Sequence, residues 1–479
     1  MAGKVAEGAV VAFEGAGQHN PARGQGPLLH RRLREGPGPR MLKANDVQRG
    51  RIDPTRRLQR RLYSAAKQRP ARRFHALYDK VHRTDILERA WREVARKRGA
   101  PGVDAASIEA IEAEGVEAFL RELQTELTTE GYRPLPVRRL MIPKRTGGER
   151  PLGVPTVRDR VVQTAAKLVV EPIFEADFAD CSYGFRPKRS ALQAREHIRR
   201  ELQRGRRWVV DADIRGFFDH LDHTQLLALV RERVSDRRVL KLLTGWLRAD
   251  VLTKEGLLHP EAGTPQGGVI SPLLANVYLN RLDQAWQQAG RHLGELVRYA
   301  DDLVILCRTG RQAEAALQLL REMLGDLKLT LAETKTRIVD VRSGTEGFDC
   351  LGYHFQMRLS RRNRLFAACW PSRSAMAAAR ERIRLLTPLA RIGCPAIVVV
   401  QGLNRFLKGW GAYFRYGNAT RQFKQLDAFV FERLARFISR KHGSRNWRRG
   451  LADLIDSPTR LGLYRVAGTV RYVSAHAAR

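Results

Sequence analysis

The sequence predicts an α+β protein, and three observations lead there. Short β-rich segments gather in the middle of the chain, at Trp208–Ile214, Leu296–Leu306 and Phe348–Phe355. Segments of helical periodicity flank them, from about Asn45 to Lys97 and from about Pro371 onward. The 479 residues suffice for about three domains of ordinary size.

The formal net charge is +36 and the pI about 11.0. In a chain that is 43% hydrophobic, this implies a folded protein that binds a polyanion. Basic residues occur along nearly the whole length, which favours nucleic acid over an anionic membrane. No apolar run reaches the roughly 18 residues a spanning helix needs, so no membrane partner is expected. Ala9–Phe13 is too short for a signal peptide and has no suitable basic flank. The five cysteines (Cys181, Cys307, Cys350, Cys369 and Cys394) form no C-x-x-C pair. That disfavours a zinc finger or disulfide framework and fits a reducing cytoplasm.

In order, residues 1–44, rich in Gly, Ala, Pro and Arg to about Pro39, are expected to be a disordered basic extension or an upstream extension of the reading frame. Helices follow to Lys97. A break at Gly99-Ala100-Pro101-Gly102-Val103-Asp104 precedes one acidic helix from about Ser107 to Leu127. Leu140 to Pro155 reads as two short strands joined by a Gly147-Gly148 turn. Lys144 and Arg150 flank the turn, where cations suit a triphosphate; an ordinary surface hairpin is the other reading. A helix begins at about Arg158. Ser182-Tyr183-Gly184-Phe185-Arg186-Pro187 is a loop suited to template contacts or to anchoring in the core.

Trp208–Ile214 is a strand whose period of two puts Asp211 and Asp213 on one face. A turn through Phe217 and Phe218 leads to Asp222, the expected cap of a helix containing Leu226, Leu227 and Leu229. The glycines of Gly263-Thr264-Pro265-Gln266-Gly267-Gly268 let the backbone approach a ligand. Ser271-Pro272 opens a helix that buries Leu273, Leu274, Val277 and Leu279.

Leu296–Leu306 reads as a hairpin with Tyr299-Ala300-Asp301-Asp302 at its tip. Adjacent carboxylates repel unless a cation neutralises them, and hard oxygen ligands suit Mg²⁺ and phosphate chemistry. A plain polar turn is the competing reading. Beyond it are expected a helix over Arg311–Leu324, a strand at Leu329–Leu331 followed by Lys335, and a hairpin over Phe348–Phe355. The helical end interleaves aromatics with cations in Gly402–Trp410 and Tyr413–Tyr416, a composition suited to RNA. The spacing of Phe406, Trp410 and Phe414 equally suits a helix core with the cations outward.

Asp213, Asp301 and Asp302 together make a three-carboxylate set. Two Mg²⁺ ions about 4 Å apart require such a set to activate a 3′-hydroxyl and stabilise a leaving pyrophosphate. Lys144 and Arg150 suit charge neutralisation, and Lys335 suits proton donation to the leaving group.

The ordered series Ile142-Pro143-Lys144, Arg150-Pro151-Leu152, Ser182–Pro187, Asp213-Ile214-Arg215-Gly216-Phe217-Phe218-Asp219, Thr264–Gly268, Tyr299–Asp302, Lys335 and Leu351-Gly352-Tyr353 resembles the block series of a reverse transcriptase. With Gly99–Asp104 and the later Leu403–Phe414, the chain from about 45 to 445 resembles a bacterial group II intron-encoded protein, a reverse transcriptase with a maturase domain. The resemblance implies a right-hand polymerase: an N-terminal extension and fingers at 45–205, a ferredoxin-like palm at 206–365, an α-helical thumb or maturase domain at 366–445 and a short basic tail at 446–479. It makes Asp213, Asp301 and Asp302 catalytic metal ligands, with the Ile214 carbonyl as a further ligand and Asp211 only a neighbour. Lys335 joins them as a catalytic residue. Pro265, Gln266 and Gly267 then line the dNTP pocket with Lys144 and Arg150, and Phe218 excludes a ribose 2′-hydroxyl. RNA contacts are expected at Arg405, Lys408, Arg415, Arg440 and Lys441.

The implied cofactor is two Mg²⁺ ions. The implied partners are group II intron RNA, an RNA template with a DNA primer, dNTPs and target DNA, for a monomer or homodimer in a cytoplasmic, nucleoid-associated ribonucleoprotein. No histidine–cysteine nuclease centre and no ribonuclease H cluster is recognisable, so neither activity is expected, and the primer is expected from elsewhere, for example a nascent strand at a replication fork. The alternatives are a maturase acting only as an RNA-binding splicing cofactor, and a reverse transcriptase domesticated for a host function.

Overall fold

A computed structural model describes residues 53–143, 148–388, 393–441 and 461–472. The expected basic extension, Lys144 and most of the expected tail lie outside these residues. In chain order the elements begin with helices α1 (Pro54–Gln68), α2 (Tyr78–Val81), α3 (Thr84–Ala95), α4 (Ile108–Glu114) and α5 (Val116–Thr128). Strands β1 (Val137–Pro143) and β2 (Glu149–Val154) precede α6 (Val157–Glu175), α7 (Ala191–Gln203) and β3 (Trp208–Asp213). Next come α8 (His223–Arg231), α9 (Arg237–Leu247), β4 (Val251–Leu252), β5 (Leu257–Leu258) and α10 (Ser271–Ala285). The remainder is β6 (Gly294–Tyr299), β7 (Asp302–Cys307), α11 (Gly310–Asp326), β8 (Arg337–Asp340), β9 (Gly347–Cys350), β10 (Tyr353–Leu359), β11 (Leu365–Pro371), α12 (Arg373–Leu386), α13 (Ala396–Phe414) and α14 (Thr420–Lys441). The fold is α+β, as expected. Among the described residues no helix is long and apolar enough to cross a membrane.

The described chain divides into two compact units, with crossings at Phe178/Ala179, Phe217/Phe218 and Tyr278/Leu279. In the unit that begins the described chain, α1 and α3 pack on α6, whose apolar positions are buried almost all round. The acidic segment expected as one helix is two. Gly115, at φ +115°, ends α4 and starts α5, a conformation any side chain would strain. β1 and β2 pair antiparallel in a sheet of order β2-β1-β4-β5. Asp222 caps α8 as expected, accepting from the Gln225 N–H at 2.8 Å.

The other unit holds an antiparallel sheet of order β6-β7-β3-β8. Val209, Val297, Val304, Leu306 and Val339 share one face and join a core with α7, β9–β11 and the carboxy-terminal helices. Leu329–Leu331 is not the expected strand. It makes one bridge, Ile214 to Leu331, just past the end of β3, and the pairing strand is the later β8. Three apolar-polar residues specify alternation but not a partner of useful length. β9 and β10 form the expected hairpin around Leu351 and Gly352, at φ +52° and +76°, the type I′ pattern.

Helices α12–α14 bury Leu403, Leu407, Trp410, Phe414, Phe423, Leu426 and Phe437 in the same core. Of the aromatics read two ways, Trp410 and Phe414 are therefore core and Phe406 packs beside them. Residues 461–472 belong to this helical module. Asn404 donates to the Gly462 carbonyl and accepts from the Tyr464 N–H, both at 2.7 Å. Asp427 accepts from the Val466 and Ala467 N–H groups at 2.9 and 2.8 Å, and Val466 is fully buried.

Candidate active site

The β6–β7 ladder pairs Tyr299 with Asp302, so the connecting loop is only Ala300–Asp301. Ala300 has φ +55° and Asp301 does not share it, the pattern of a type II′ hairpin turn. A non-glycine residue there is strained by about 1 kcal/mol or more.

The β3–β7 ladder then places Asp213 directly opposite Asp302. Residues facing each other across a ladder point to the same side, so both carboxylates project from one face at the end of the sheet. Asp211 lies on that face one alternation deeper, 3% exposed, with Arg337 Nε 3.3 Å from its Oδ2. Lys335 Nζ is 2.8 Å from Asp213 Oδ2. The Ile214–Leu331 bridge is made by its neighbours: Arg215 N–H donates to the Thr330 carbonyl and Ala332 N–H to the Asp213 carbonyl. It does not draw on the Ile214 carbonyl. Asp301 occupies the second turn position beside Asp302 and is half-buried. Burial first, and then the charge of Asp302, push the Tyr299 phenol upward.

Among the described residues no three acidic, histidine or cysteine side chains already converge as a metal cage. The donor chemistry nonetheless fits a hard divalent cation: two facing carboxylates and a third at the adjacent turn are oxygen ligands.

The Ser182–Pro187 loop supports this turn. Tyr183 N–H donates to the Arg298 carbonyl at 2.9 Å, and Arg298 N–H donates to the Cys181 carbonyl at 2.8 Å. A Cβ on Gly184 would lie 2.4 Å from the Ala300 nitrogen, so only glycine permits the approach. Arg186 is buried and donates to the Ala179 and Ser182 carbonyls at 2.5 and 2.8 Å. Core anchoring describes Tyr183 and Arg186. Sequence reasoning missed Arg298 and Asp283, a fully buried ion pair at the turn. The available signal was a lone arginine in the apolar strand Leu296-Val297-Arg298-Tyr299.

Of the residues expected around the nucleotide, those described lie within the other unit. Gly153 N–H donates to the Gln266 carbonyl at 2.6 Å, and a Cβ on Gly267 would lie 2.4 Å from the Gly153 carbonyl oxygen. Thr264 N–H donates to the Phe218 carbonyl at 2.8 Å. Pro265, Gln266 and Gly267 thus neighbour Gly153 on β2, the strand that carries Arg150 opposite Ile142, while Phe218 meets the same loop at Thr264. Phe217 is buried while Phe218 is only half-buried. The Ser271 hydroxyl donates to the Pro265 carbonyl at 3.1 Å and bonds the Thr264 hydroxyl at 2.7 Å, fixing the loop.

The residues expected to meet RNA divide by environment. Arg405, Lys408 and Arg440 are exposed, and the Lys408 ammonium lies 5.8 Å from the Tyr464 ring centroid. Arg415 is half-buried beside Tyr416. Lys441 donates to the Cys394 carbonyl at 2.8 Å, so its ammonium is engaged within the helical module.

Residues 142–355 match the reverse transcriptase (RNA-dependent DNA polymerase) family, and residues 376–453 match the group II intron maturase-specific domain. Protein YkfC of Escherichia coli (strain K12) is 36% identical over 343 residues, 64% of this chain and 89% of YkfC. The group II intron-encoded protein LtrA of Lactococcus lactis subsp. cremoris is 37% identical over 214 residues, 44% of this chain and 35% of LtrA. An uncharacterized 91 kDa protein in the cob intron of Schizosaccharomyces pombe is 39% identical over 158 residues, 33% of this chain and 20% of that protein. The matched region thus spans most of YkfC and about a third of LtrA.

Proposed function

We propose that this chain, which belongs to the family of group II intron reverse transcriptases with a maturase-specific domain, is an RNA-directed DNA polymerase that copies intron RNA into cDNA. Its helical module binds the same RNA and assists its splicing. The observation that carries the polymerase reading is the placement of Asp213 opposite Asp302, with Asp301 in the turn and Lys335 against Asp213.

Two Mg²⁺ ions, when bound, supply Lewis-acid stabilisation of the attacking and leaving oxygens. Asp213, Asp301 and Asp302 would hold them, with the Ile214 carbonyl as an added oxygen ligand. Asp213, which faces Asp302 at the end of the sheet, is the ligand on β3, and Asp211 lies deeper and pairs with Arg337. Lys335 donates the proton that the leaving pyrophosphate takes up. Arg150, with Lys144, orients the triphosphate. Pro265, Gln266 and Gly267 receive the nucleotide, and the ring of Phe218 excludes a 2′-hydroxyl, so dNTPs are the substrates.

The test is primer extension on an RNA template with a DNA primer and Mg²⁺, with dNTPs or rNTPs, beside an Asp301→Ala/Asp302→Ala variant. Extension with dNTPs that disappears in the variant supports the polymerase. A folded, RNA-binding wild type that extends nothing leaves the splicing cofactor alone. Intron splicing by the double variant separates the roles, since the maturase reading requires splicing to persist without the carboxylates.

A further inference from the structure

The Arg298 side chain points away from the carboxylates. Arg298 pairs with Leu303 while Tyr299 pairs with Asp302, so alternation sends Arg298 to the opposite face of the sheet. There it is fully buried, as is Asp283 on α10. The two make a bidentate pair: Nε to Oδ1 at 2.8 Å and Nη2 to Oδ2 at 2.5 Å. The remaining terminal nitrogen, Nη1, donates to the Ala300 carbonyl at 3.0 Å. The Arg298 backbone meanwhile bonds the Cys181–Tyr183 segment in both directions. One residue therefore ties α10, the loop carrying Gly184, and the strained first position of the Asp301-Asp302 turn.

A desolvated arginine–aspartate pair is a poor device for stability alone. Well-packed apolar residues of similar volume commonly serve as well or better, because both charges leave water. What apolar residues lack is a planar fork that holds a carboxylate with one edge and a carbonyl with another nitrogen. Asp283 keeps the guanidinium charged against its burial and fixes its plane, so Nη1 meets the Ala300 carbonyl at a set angle. The orientation of that peptide unit determines where Asp301 begins.

We propose that the Arg298–Asp283 pair is a positioning device for the catalytic turn: through the Ala300 carbonyl it sets the direction in which Asp301 and Asp302 present their carboxylates to divalent metal. Arg298 touches no substrate. It acts through the backbone, and its loss weakens metal binding and turnover while leaving primer–template affinity as it was. The inference rests on the polymerase reading of the turn.

The test uses the full chain and three variants: Arg298→Lys, which keeps a charge beside Asp283 but cannot bridge to Ala300; Arg298→Met/Asp283→Leu, which replaces the pair with apolar volume; and Asp302→Asn as the reference for a damaged site. Mn²⁺ binding is followed by the loss of its free electron paramagnetic resonance signal, and extension by kcat and KM for primer–template at increasing Mg²⁺. Arg298→Lys is expected to bind Mn²⁺ about tenfold more weakly, to need about tenfold more Mg²⁺ and to keep its primer–template KM. The double variant is expected to do the same at an unchanged or higher melting temperature. Wild-type Mn²⁺ affinity and Mg²⁺ dependence in a folded Arg298→Lys protein overturn the proposal, whether or not the double variant folds. A drop in activity that follows only a fall in melting temperature, with Mn²⁺ affinity kept, overturns it as well. A wild type that extends no primer overturns the polymerase reading instead, and Mn²⁺ affinity then still decides the positioning role.

Discussion

Asp213 and Asp302, from strands separated by most of the central chain, are direct partners in the β3–β7 ladder. Two carboxylates held on one face repel each other and present the negative potential that draws a divalent cation. Asp302→Asn keeps the shape but removes one charge and turns one acceptor oxygen into an NH2 donor. Extension is expected to fall by about 10³-fold or more, which corresponds to several kcal/mol of transition-state stabilisation. Circular dichroism and RNA affinity should remain at wild-type levels. Near-wild-type extension by this variant would remove Asp302 from the metal site.

Lys335 already lies at the site, its ammonium 2.8 Å from Asp213. Lys335→Ala is expected to lower kcat on the order of 10²-fold, the usual loss when a positioned acid is removed. Lys335→Arg keeps the charge but gives up its proton far less readily. It should restore nucleotide KM without restoring kcat. Equal recovery of both in single-nucleotide incorporation would reduce Lys335 to a counter-charge.

Phe218 contributes its carbonyl to the Thr264 N–H, at the start of the Pro265–Gly267 loop. Its neighbour Phe217 is buried, so shortening Phe218 should leave the core intact. Phe218→Val is expected to raise the use of rNTPs relative to dNTPs by about 10- to 100-fold, the range available from steric discrimination in a pocket. An unchanged ratio in competition assays would place the sugar gate elsewhere.

Asp236 caps α9 and also clamps the start of α2. One oxygen accepts from the Leu77 and Tyr78 N–H groups, each at 2.8 Å, and the other from Arg238 and Val239 at 3.0 and 3.3 Å. Burial by itself would raise this carboxyl, but the four N–H donors outweigh it and hold the group below its ordinary value. Its stabilisation is therefore present above the unfolded value of about 3.9 and is lost as pH falls through the lower folded value. Asp236→Ala should cost about 2 kcal/mol at neutral pH, from a lost cap and stranded donors. The difference between variant and wild type in urea unfolding should shrink only below about pH 4; a difference unchanged with pH would contradict the charged clamp.

Asp427 fastens residues 466–467 to α14 through two N–H bonds. Asp427→Ala should release that segment at a cost on the order of 2 kcal/mol. Limited proteolysis should then cut near Val466 at a higher rate, with slower loss of the helices themselves. Wild-type protection would show that the Val466 side chain alone holds the segment.

Local stereochemistry made much of the molecule legible in advance. A period of two put Asp211 and Asp213 on one face, and a tight acidic turn between apolar runs announced the hairpin that carries Asp301 and Asp302. The caps at Asp222 and the glycine-rich loop at Gly263–Gly268 were equally readable, because near neighbours determine them. The partners of Asp211 and Asp213 were not readable from spacing. Arg337 reaches Asp211 from a strand 126 residues away, and Lys335 reaches Asp213 across 122. The same limit hid the single-bridge role of Leu329–Leu331, the engagement of Lys441 by Cys394, and the pairing of Arg298 with Asp283. Sequence determined the backbone periods and turns through sterics acting over a few residues. Tertiary structure decided which charge each carboxylate faces, because a buried charge takes its partner from whatever part of the chain the packed core brings beside it.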